Sequence, residues 1–141
     1  MIGWLYRGCA ARVIASATPE VRGTRVVVRG SAPGGLDDVD VGVVRAACGV
    51  VETGSVLLTD QELVVNALAF LSQHLVVLLD PAALLSDLHA LYRCGVFLSV
   101  PYAVLLSGPS ATADIEGVLV RGAQGVRSLT VIACPVLAAK C

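Results

Sequence analysis

An apolar run that ends in a polar turn constrains the fold of this chain most. Residues 102–106 read Tyr-Ala-Val-Leu-Leu, and residues 107–110 follow with Ser-Gly-Pro-Ser. The apolar run predicts a buried strand, and a glycine followed by a proline predicts a turn that ends it. Beyond the turn, Ser110 or Thr112 is predicted to cap a helix. That helix would carry an apolar stripe at helical spacing, which comprises Ile115, Val118, Leu119 and Gly122.

Polar side chains cluster at this turn. Ser107, Ser110, Thr112 and Asp114 fall within eight positions. In an α/β fold a ligand binds where a strand ends and a helix begins, because free backbone N–H groups and the positive end of the helix dipole meet there. The turn is therefore a candidate ligand site, in which Gly108 gives the backbone its freedom. The alternative is that these side chains only cap the helix.

The chain is unusually apolar for its length. Of its 141 residues, 56% are hydrophobic, and the mean hydropathy is +0.81. The longest apolar stretch, residues 63–79, is interrupted by polar side chains such as Asn66 and Gln73, so no run reaches the roughly 20 residues that a membrane span requires. Strands of a parallel sheet are buried on both faces and read as continuous Val and Leu runs. The composition thus predicts one α/β domain over residues 1–141 and no membrane contact.

Charge and cysteine usage exclude several classes of protein. The formal net charge is −1 and there is no basic patch, which argues against nucleic-acid binding. The five cysteines are odd in number and form no C-x-x-C pair, which argues against a disulfide framework, a zinc site or a cluster held by this chain alone. The N-terminus lacks the features of a signal peptide. We therefore expect a cytoplasmic protein that binds no metal or cofactor and has buried, reduced thiols at Cys9, Cys48, Cys94, Cys134 and Cys141.

Strand-type and helix-type segments alternate along the chain. A capping box at Thr59 and Glu62 indicates one helix start, and Asp80-Pro81 indicates another, from which a helix is predicted to run to Gly95. The pattern of the first 19 residues is ambiguous, and a short amphipathic helix is one interpretation of it. Such alternation predicts right-handed βαβ units and a mainly parallel, Rossmann-like sheet flanked by helices. The strands are predicted at residues 25–29, 41–44, 74–79 and 128–133.

A carboxylate lies inside a predicted strand pair. Residues 46–58 hold two apolar runs around Glu52-Thr53-Gly54-Ser55, and Gly54 suits a turn between antiparallel strands. Glu52 is a candidate catalytic group, because a buried carboxylate has a raised pKa unless a cation or N–H groups pair with it. The alternative is a surface glutamate at the end of a hairpin. Acids that precede this region are expected in a solvated turn rather than a metal site; they are Asp37, Asp38 and Asp40.

Three segments together resemble one known family. Residues 52–55 read Glu-Thr-Gly-Ser, residues 107–116 read Ser-Gly-Pro-Ser-Ala-Thr-Ala-Asp-Ile-Glu, and residues 122–131 read Gly-Ala-Gln-Gly-Val-Arg-Ser-Leu-Thr-Val. With these motifs and their spacing, the chain resembles the LUD domain, as in the lactate-utilisation protein C family, over residues 37–133. His74 falls where that family often has a histidine before a strand.

The resemblance implies a fold like that of the CoA-transferase and sugar-phosphate-isomerase superfamily. It also implies a role in the oxidation of L-lactate to pyruvate beside two iron–sulfur partner proteins, with the clusters on the partners rather than on this chain. Two other functions stay open. One is an enzyme of CoA-transferase or isomerase type that binds a small anionic ligand, with Glu52 as nucleophile or base by analogy of fold. The other is an assembly subunit without chemistry.

The chain departs from the family pattern at two places. The last family motif usually reads His-Gly-Pro-Arg, whereas this chain has Gln124-Gly125-Val126-Arg127. An imidazole that could act as acid, base or ligand is thereby lost, and an inactive relative is a further alternative. The N-terminal helical region of the family is missing or cut short here.

These observations predict one cleft at the carboxyl ends of parallel strands. Glu52 and Asp114 are the candidate catalytic residues, and Arg127 would supply the cation for an anionic ligand. The other candidate ligand-binding residues are Thr53, Gly54, Ser107, Gly108, Ser110 and Thr112.

The apolar composition also predicts self-association. A domain of this size has a limited interior, and large exposed apolar patches usually mark interfaces. We expect a two-fold homodimer with Trp4 and Leu5 among its contacts. The alternative is that the same surface receives another subunit of a lactate-oxidising complex.

Overall fold

A sheet of parallel strands forms the centre of the molecule. The computed structural model describes residues 11–113, 119–121 and 125–136, with backbone only for residues 112, 113 and 119–121. The central strands are β1 (Ile14–Ser16), β2 (Arg25–Val26), β3 (Val41–Arg45), β6 (His74–Leu79) and β11 (Ser128–Ala133). Their order is β11-β6-β3-β1-β2, and every neighbouring pair is parallel.

Strands β3 and β6 lie in the interior of this sheet and are buried on both faces. Val44 and Val77 join the apolar core on one face, whereas Val43 and Val76 pack on the other. Continuous Val and Leu runs are typical of such doubly covered parallel strands. The α/β class and the strands predicted at 41–44, 74–79 and 128–133 are therefore confirmed, while the strand predicted at 25–29 is shorter.

A second, mixed sheet packs against the first. It consists of β7 (Leu84–Leu85), β4 (Cys48–Val50), β5 (Ser55–Thr59) and β8 (Ala103–Leu106), in that order. Strand β5 is antiparallel to β4 and to β8, and β4 is parallel to β7. The hairpin predicted within residues 46–58 is thus confirmed, with Gly54 at a φ of +62° in its turn. The apolar core between the two sheets includes Val44, Val56, Leu58, Val77 and Val104.

Within the described residues, four short α-helices connect these strands. They are α1 (Asp60–Leu63), α2 (Leu68–Leu71), α3 (Leu88–Arg93) and α4 (Val96–Ser99). The capping box at the start of α1 is confirmed, since Thr59 and Glu62 exchange both of its hydrogen bonds. The helix predicted from Asp80 is wrong. Asp80 caps only a 3₁₀ turn, Pro81–Ala83, and the helix α3 starts later, where Asp87 accepts from the N–H of Ala90 at 2.7 Å.

Pairing with β4 explains that difference. Leu84 and Leu85 lie opposite Gly49 and Val50 in the second sheet. Leu85 packs beside Val50 in a separate small apolar cluster. A two-residue strand that gains both backbone bonds and burial overrides the helical spacing of the leucines, because propensity and periodicity are weak beside tertiary packing.

The helix predicted after the turn at 107–110 is also wrong. Residues Ala111–Ala113 form β9 and residues Leu119–Arg121 form β10, which pair as antiparallel strands. Thr112 lies opposite Val120, and β-branched residues favour such pairs over helix. Ser110 and Thr112 are therefore not helix caps. Residues 114–118, which include Asp114, lie outside the described residues, as do residues 1–10.

No helix in the part of the chain that the structure describes is long and apolar enough to cross a membrane.

The acids before β3 support the fold locally. Arg25 pairs with Asp38, and the carboxylate of Asp40 accepts from the backbone N–H groups of Arg12 and Val13 at 2.7 and 2.9 Å. These bonds tie the chain before β1 to the start of β3.

The bonds to Asp40 predict a pH-dependent contribution to stability. The N–H groups of Val13 and Arg12 hold the pKa of this carboxyl below its usual value. A lowered folded-state pKa gives stability that is present above the ordinary aspartate pKa of about 3.9 and is lost as pH falls through the folded value. We expect Asp40→Asn to melt below wild type at neutral pH, and the difference to shrink below about pH 4. Melting curves across pH check this, and a pH-independent difference would contradict it.

Candidate functional site

Several strand ends meet at one edge of the second sheet. Because β5 runs opposite to both β4 and β8, the strands β4, β7 and β8 share one direction. Their carboxyl ends and the start of β5 therefore lie together. We call this place, which comprises residues 51–55, Ser86 and Ser107, the hydroxyl edge. It brings two of the motif segments, Glu-Thr-Gly-Ser and Ser-Gly-Pro-Ser, into contact.

A chain of hydroxyl groups joins the two segments. The Oγ of Ser55 lies 2.7 Å from Oγ1 of Thr53 and 2.7 Å from Oγ of Ser107. Ser55 is only 5% exposed, whereas Thr53 and Ser107 are exposed. Each hydroxyl carries one proton, so the two bonds within the chain leave one proton over. Since Ser55 is buried, that proton is best placed on Thr53 or Ser107, where it can be donated to a ligand.

Glu52 is exposed at the same edge rather than buried within the strand pair. Its Oε2 accepts from the N–H of Leu88, at 3.2 Å, at the start of α3. Its own N–H donates to the carbonyl of Ser86 at 3.1 Å. The structure therefore places Glu52 as a surface glutamate at a hairpin end, next to Thr53, with its other carboxylate oxygen available to a ligand.

The third motif segment lies close to Gly108, which belongs to the second segment. This glycine has a φ of +113°, and a Cβ built on it would lie 3.9 Å from Cβ of Leu129. Leu129 lies two residues after Arg127, whose side chain is exposed. The loop after β8 therefore touches both the hairpin turn and the start of β11, so segments distant in sequence converge around Ser107 and Gly108.

Arg127 does not lie at the carboxyl end of a parallel strand, where the cleft was predicted. The N–H of Arg127 donates to the carbonyl of Gln73 at 2.8 Å, so Arg127 lies at the amino ends of β6 and β11. His74 lies there too, with Nδ1 2.7 Å from Oγ of Ser128. Because Ser128 and Leu129 point to opposite faces of the sheet, His74 faces away from the loop at Gly108.

The other predicted site residues have varied outcomes. Gly54 lies in the exposed turn of the hydroxyl edge, and Ser110 is exposed between β8 and β9. Thr112 lies in β9, and Asp114 lies outside the described residues. Ser55 was missed as a site residue, although its place at the end of the Glu-Thr-Gly-Ser motif was the signal that could have found it.

The thiols differ from the prediction of uniform burial. Cys94 is exposed, while Cys48 and Cys134 are half-buried; these three are free, and Cys9 and Cys141 lie outside the described residues. Among residues 11–113, 119–121 and 125–136, no group of three or more His, Cys, Asp and Glu side chains could hold a metal ion. That the chain binds no metal and no cofactor stays a prediction.

Comparison with known families decides what this arrangement belongs to. The profile of the LUD domain matches residues 35–134, which is more than half of the chain and contains all three motif segments. The chain belongs to the LUD domain family. No curated protein matches this LUD-domain chain significantly.

A solved structure supports the fold of this LUD-domain chain. It is the crystal structure of a DUF162 family protein from Deinococcus radiodurans, which superposes with a TM-score of 0.53 at 17% sequence identity. The match covers 72% of this chain and 57% of that protein. The chain thus spans little more than half the length of that protein, and the likeness concerns the fold alone.

Proposed function

We propose that this LUD-domain chain is a component of the iron–sulfur-dependent oxidation of L-lactate to pyruvate, and that it contributes the site that holds the hydroxy acid. The observation that carries the proposal is the hydroxyl chain of Thr53, Ser55 and Ser107, which links two motif segments of the family. Its spare proton suits the oxygen atoms of a small hydroxy acid. Membership of a lactate-utilisation-type family supports the choice of lactate.

The chemistry assigns separate tasks to this chain and its partners. Oxidation of lactate removes two electrons and two protons, one proton from the hydroxyl group and one from the hydroxyl-bearing carbon. Clusters on iron–sulfur partner proteins would accept the electrons, and Asp114, the second candidate catalytic carboxylate, would accept the proton from carbon. In the proposal, Thr53 or Ser107 donates to the substrate, Glu52 accepts the hydroxyl proton, and Arg127 pairs with the carboxylate. Asp114 and the loop residues Gly108, Ser110 and Thr112 would complete the site.

Affinity purification tests the partnership. The tagged chain, isolated without oxygen from its native cells grown on L-lactate, is expected to bring iron–sulfur proteins and iron with it. A Ser107→Ala variant serves as the control, because removal of one hydroxyl at the proposed substrate site leaves a partner surface elsewhere intact. Recovery of the chain alone and free of iron would contradict the proposal.

The alternative is an enzyme of CoA-transferase type. The exposed carboxylate of Glu52, one residue from the hydroxyl chain, favours this alternative, since a free carboxylate can act as a nucleophile. Ligand binding to the folded state raises the melting temperature. A rise with acyl-CoA esters but not with L-lactate would replace the lactate proposal with this one.

We also propose that the chain self-associates in the cytoplasm. Trp4 and Leu5 lie outside the described residues, but large apolar side chains are exposed elsewhere, including Val26 at 83% and Leu98 at 94%. Light scattering on the isolated chain is expected to give the mass of a homodimer at micromolar concentration. A stable monomer would overturn this proposal and favour a surface that receives another subunit.

A further inference from the structure

The order of the central sheet contains a switch point that the hydroxyl edge does not use. From one edge of the sheet to the other, the strand order is β2, β1, β3, β6 and β11. The chain therefore leaves β1 towards one side of the sheet and leaves β3 towards the other. In open α/β sheets, ligands bind in the crevice outside the carboxyl ends of the strands at such a switch point. Here the crevice lies beyond Ser16 and Arg45.

A carboxylate is already held in this crevice. Arg45, the last residue of β3, donates from Nε and Nη2 to Oε1 of Glu20, at 2.8 and 2.6 Å. Oγ1 of Thr18 donates to Oε2 of the same carboxylate. One oxygen of the carboxylate is thus bound by two guanidinium nitrogens and the other by a hydroxyl, and such charge-assisted bonds to a carboxylate are stronger than neutral ones. We call Arg45 and Thr18 the carboxylate cradle.

The cradle keeps its shape through bonds that do not involve Glu20. Nη1 of Arg45 donates to the carbonyl of Cys134 at 3.0 Å. The N–H of Thr18 donates to Oγ of Ser16 at 3.3 Å, and that hydroxyl donates back to the carbonyl of Thr18 at 2.9 Å. Thr18 itself is 7% exposed. Removal of Glu20 would therefore leave both cradle residues in place.

Glu20 is the outer member of this arrangement. Its side chain is 33% exposed, against 17% for Arg45. Asp80 also lies near Arg45, but its carboxylate accepts from the N–H groups of Ala82 and Val136. Glu20 sits on the connection between β1 and β2, on the solvent side of the cradle, where a dissolved carboxylate can exchange with it.

We propose that the carboxylate cradle binds the carboxylate group of a small organic acid, and that Glu20 occupies the cradle when the acid is absent. The site lies at the carboxyl ends of the central strands and is separate from the hydroxyl edge. The inference does not depend on the proposed function, because the cradle recognises a carboxylate whatever reaction the chain serves.

Calorimetric titration with sodium L-lactate and with sodium acetate, against sodium chloride at equal ionic strength, tests the proposal. Wild type is expected to bind both acids, and Glu20→Ala to bind them about fivefold more tightly, because displacement of a partly exposed carboxylate no longer opposes the ligand. Arg45→Gln is expected to lose binding of acetate, while the separate hydroxyl edge still takes L-lactate. Thr18→Ala, which removes only the hydroxyl, is expected to bind more weakly and covers the case in which Arg45→Gln fails to fold.

The pair of Arg25 and Asp38 offers a matched control. It is also an arginine–carboxylate pair, but it lies on a more exposed surface, with side-chain exposures of 34% and 54%. Asp38→Ala should therefore leave the titrations as in wild type. Absence of binding to wild type, equal affinity in Glu20→Ala, or unchanged binding in Thr18→Ala would each overturn the proposal. None of these results affects the co-purification that tests the proposed function.

Discussion

A Glu52→Gln variant is expected to fold as wild type does and to oxidise L-lactate about 10²–10⁴-fold more slowly in a preparation with its partner proteins. The amide oxygen of glutamine still accepts from the N–H of Leu88, so the contact at the start of α3 is kept. What is lost is a carboxylate that accepts a proton from the substrate hydroxyl. The measurement is the rate of lactate-dependent reduction of an artificial electron acceptor, together with the melting temperature.

A second glutamate provides the control for that variant. Glu62 also accepts a backbone N–H, that of Thr59 at 3.0 Å, but it lies at the other end of β5, away from the hydroxyl edge. Glu62→Gln should therefore leave the rate of lactate oxidation close to that of wild type. If Glu52→Gln were as active as Glu62→Gln, the role assigned to Glu52 would be wrong.

Gly23→Ala is expected to destabilise the protein by about 1–3 kcal/mol, which is the usual cost of an overpacked position. A Cβ at this position would lie 2.6 Å from the carbonyl oxygen of Ile14 and 3.0 Å from the N of Ser16. Both are backbone atoms of β1, so neither can rotate away. The melting temperature should fall by roughly 3–9 °C for a domain of this size.

Gly34→Ala is the matched control for that variant. A Cβ at Gly34 would meet no atom within 4 Å, and replacement of glycine at an unstrained position lowers the entropy of the unfolded chain. The melting temperature of Gly34→Ala should therefore equal or slightly exceed that of wild type. Equal melting temperatures for the two variants would mean that the connection from β1 to β2 does not return closely over β1.

Elements with strong local signals were predictable from the sequence. Doubly buried strands such as β3 and β6 read as continuous apolar runs, because a covered parallel strand has no polar face. The turn at Gly54 and the capping box at Thr59 each depend on a few neighbouring residues. The residues near each feature determine it, and the structure shows these features where the sequence predicts them.

Features that depend on distant partners were not predictable in the same way. The sequence indicates that 102–106 is a strand but not that it joins β5 in a second sheet. Leu119 belongs to the predicted helical stripe, yet pairing with β9 decides the conformation of Leu119 and Val120. For the same reason the motif residues were expected at the carboxyl ends of parallel strands, whereas Arg127 lies at the amino ends of β6 and β11.

The most direct test of the account is whether lactate oxidation requires this chain. Extract from native cells that lack the gene is assayed without oxygen for L-lactate-dependent reduction of an artificial acceptor, before and after addition of purified chain. We expect the extract alone to be inactive, wild type to restore the rate of lactate oxidation, and Glu52→Gln not to restore it. An extract that oxidises L-lactate equally well without the chain would contradict the proposed function.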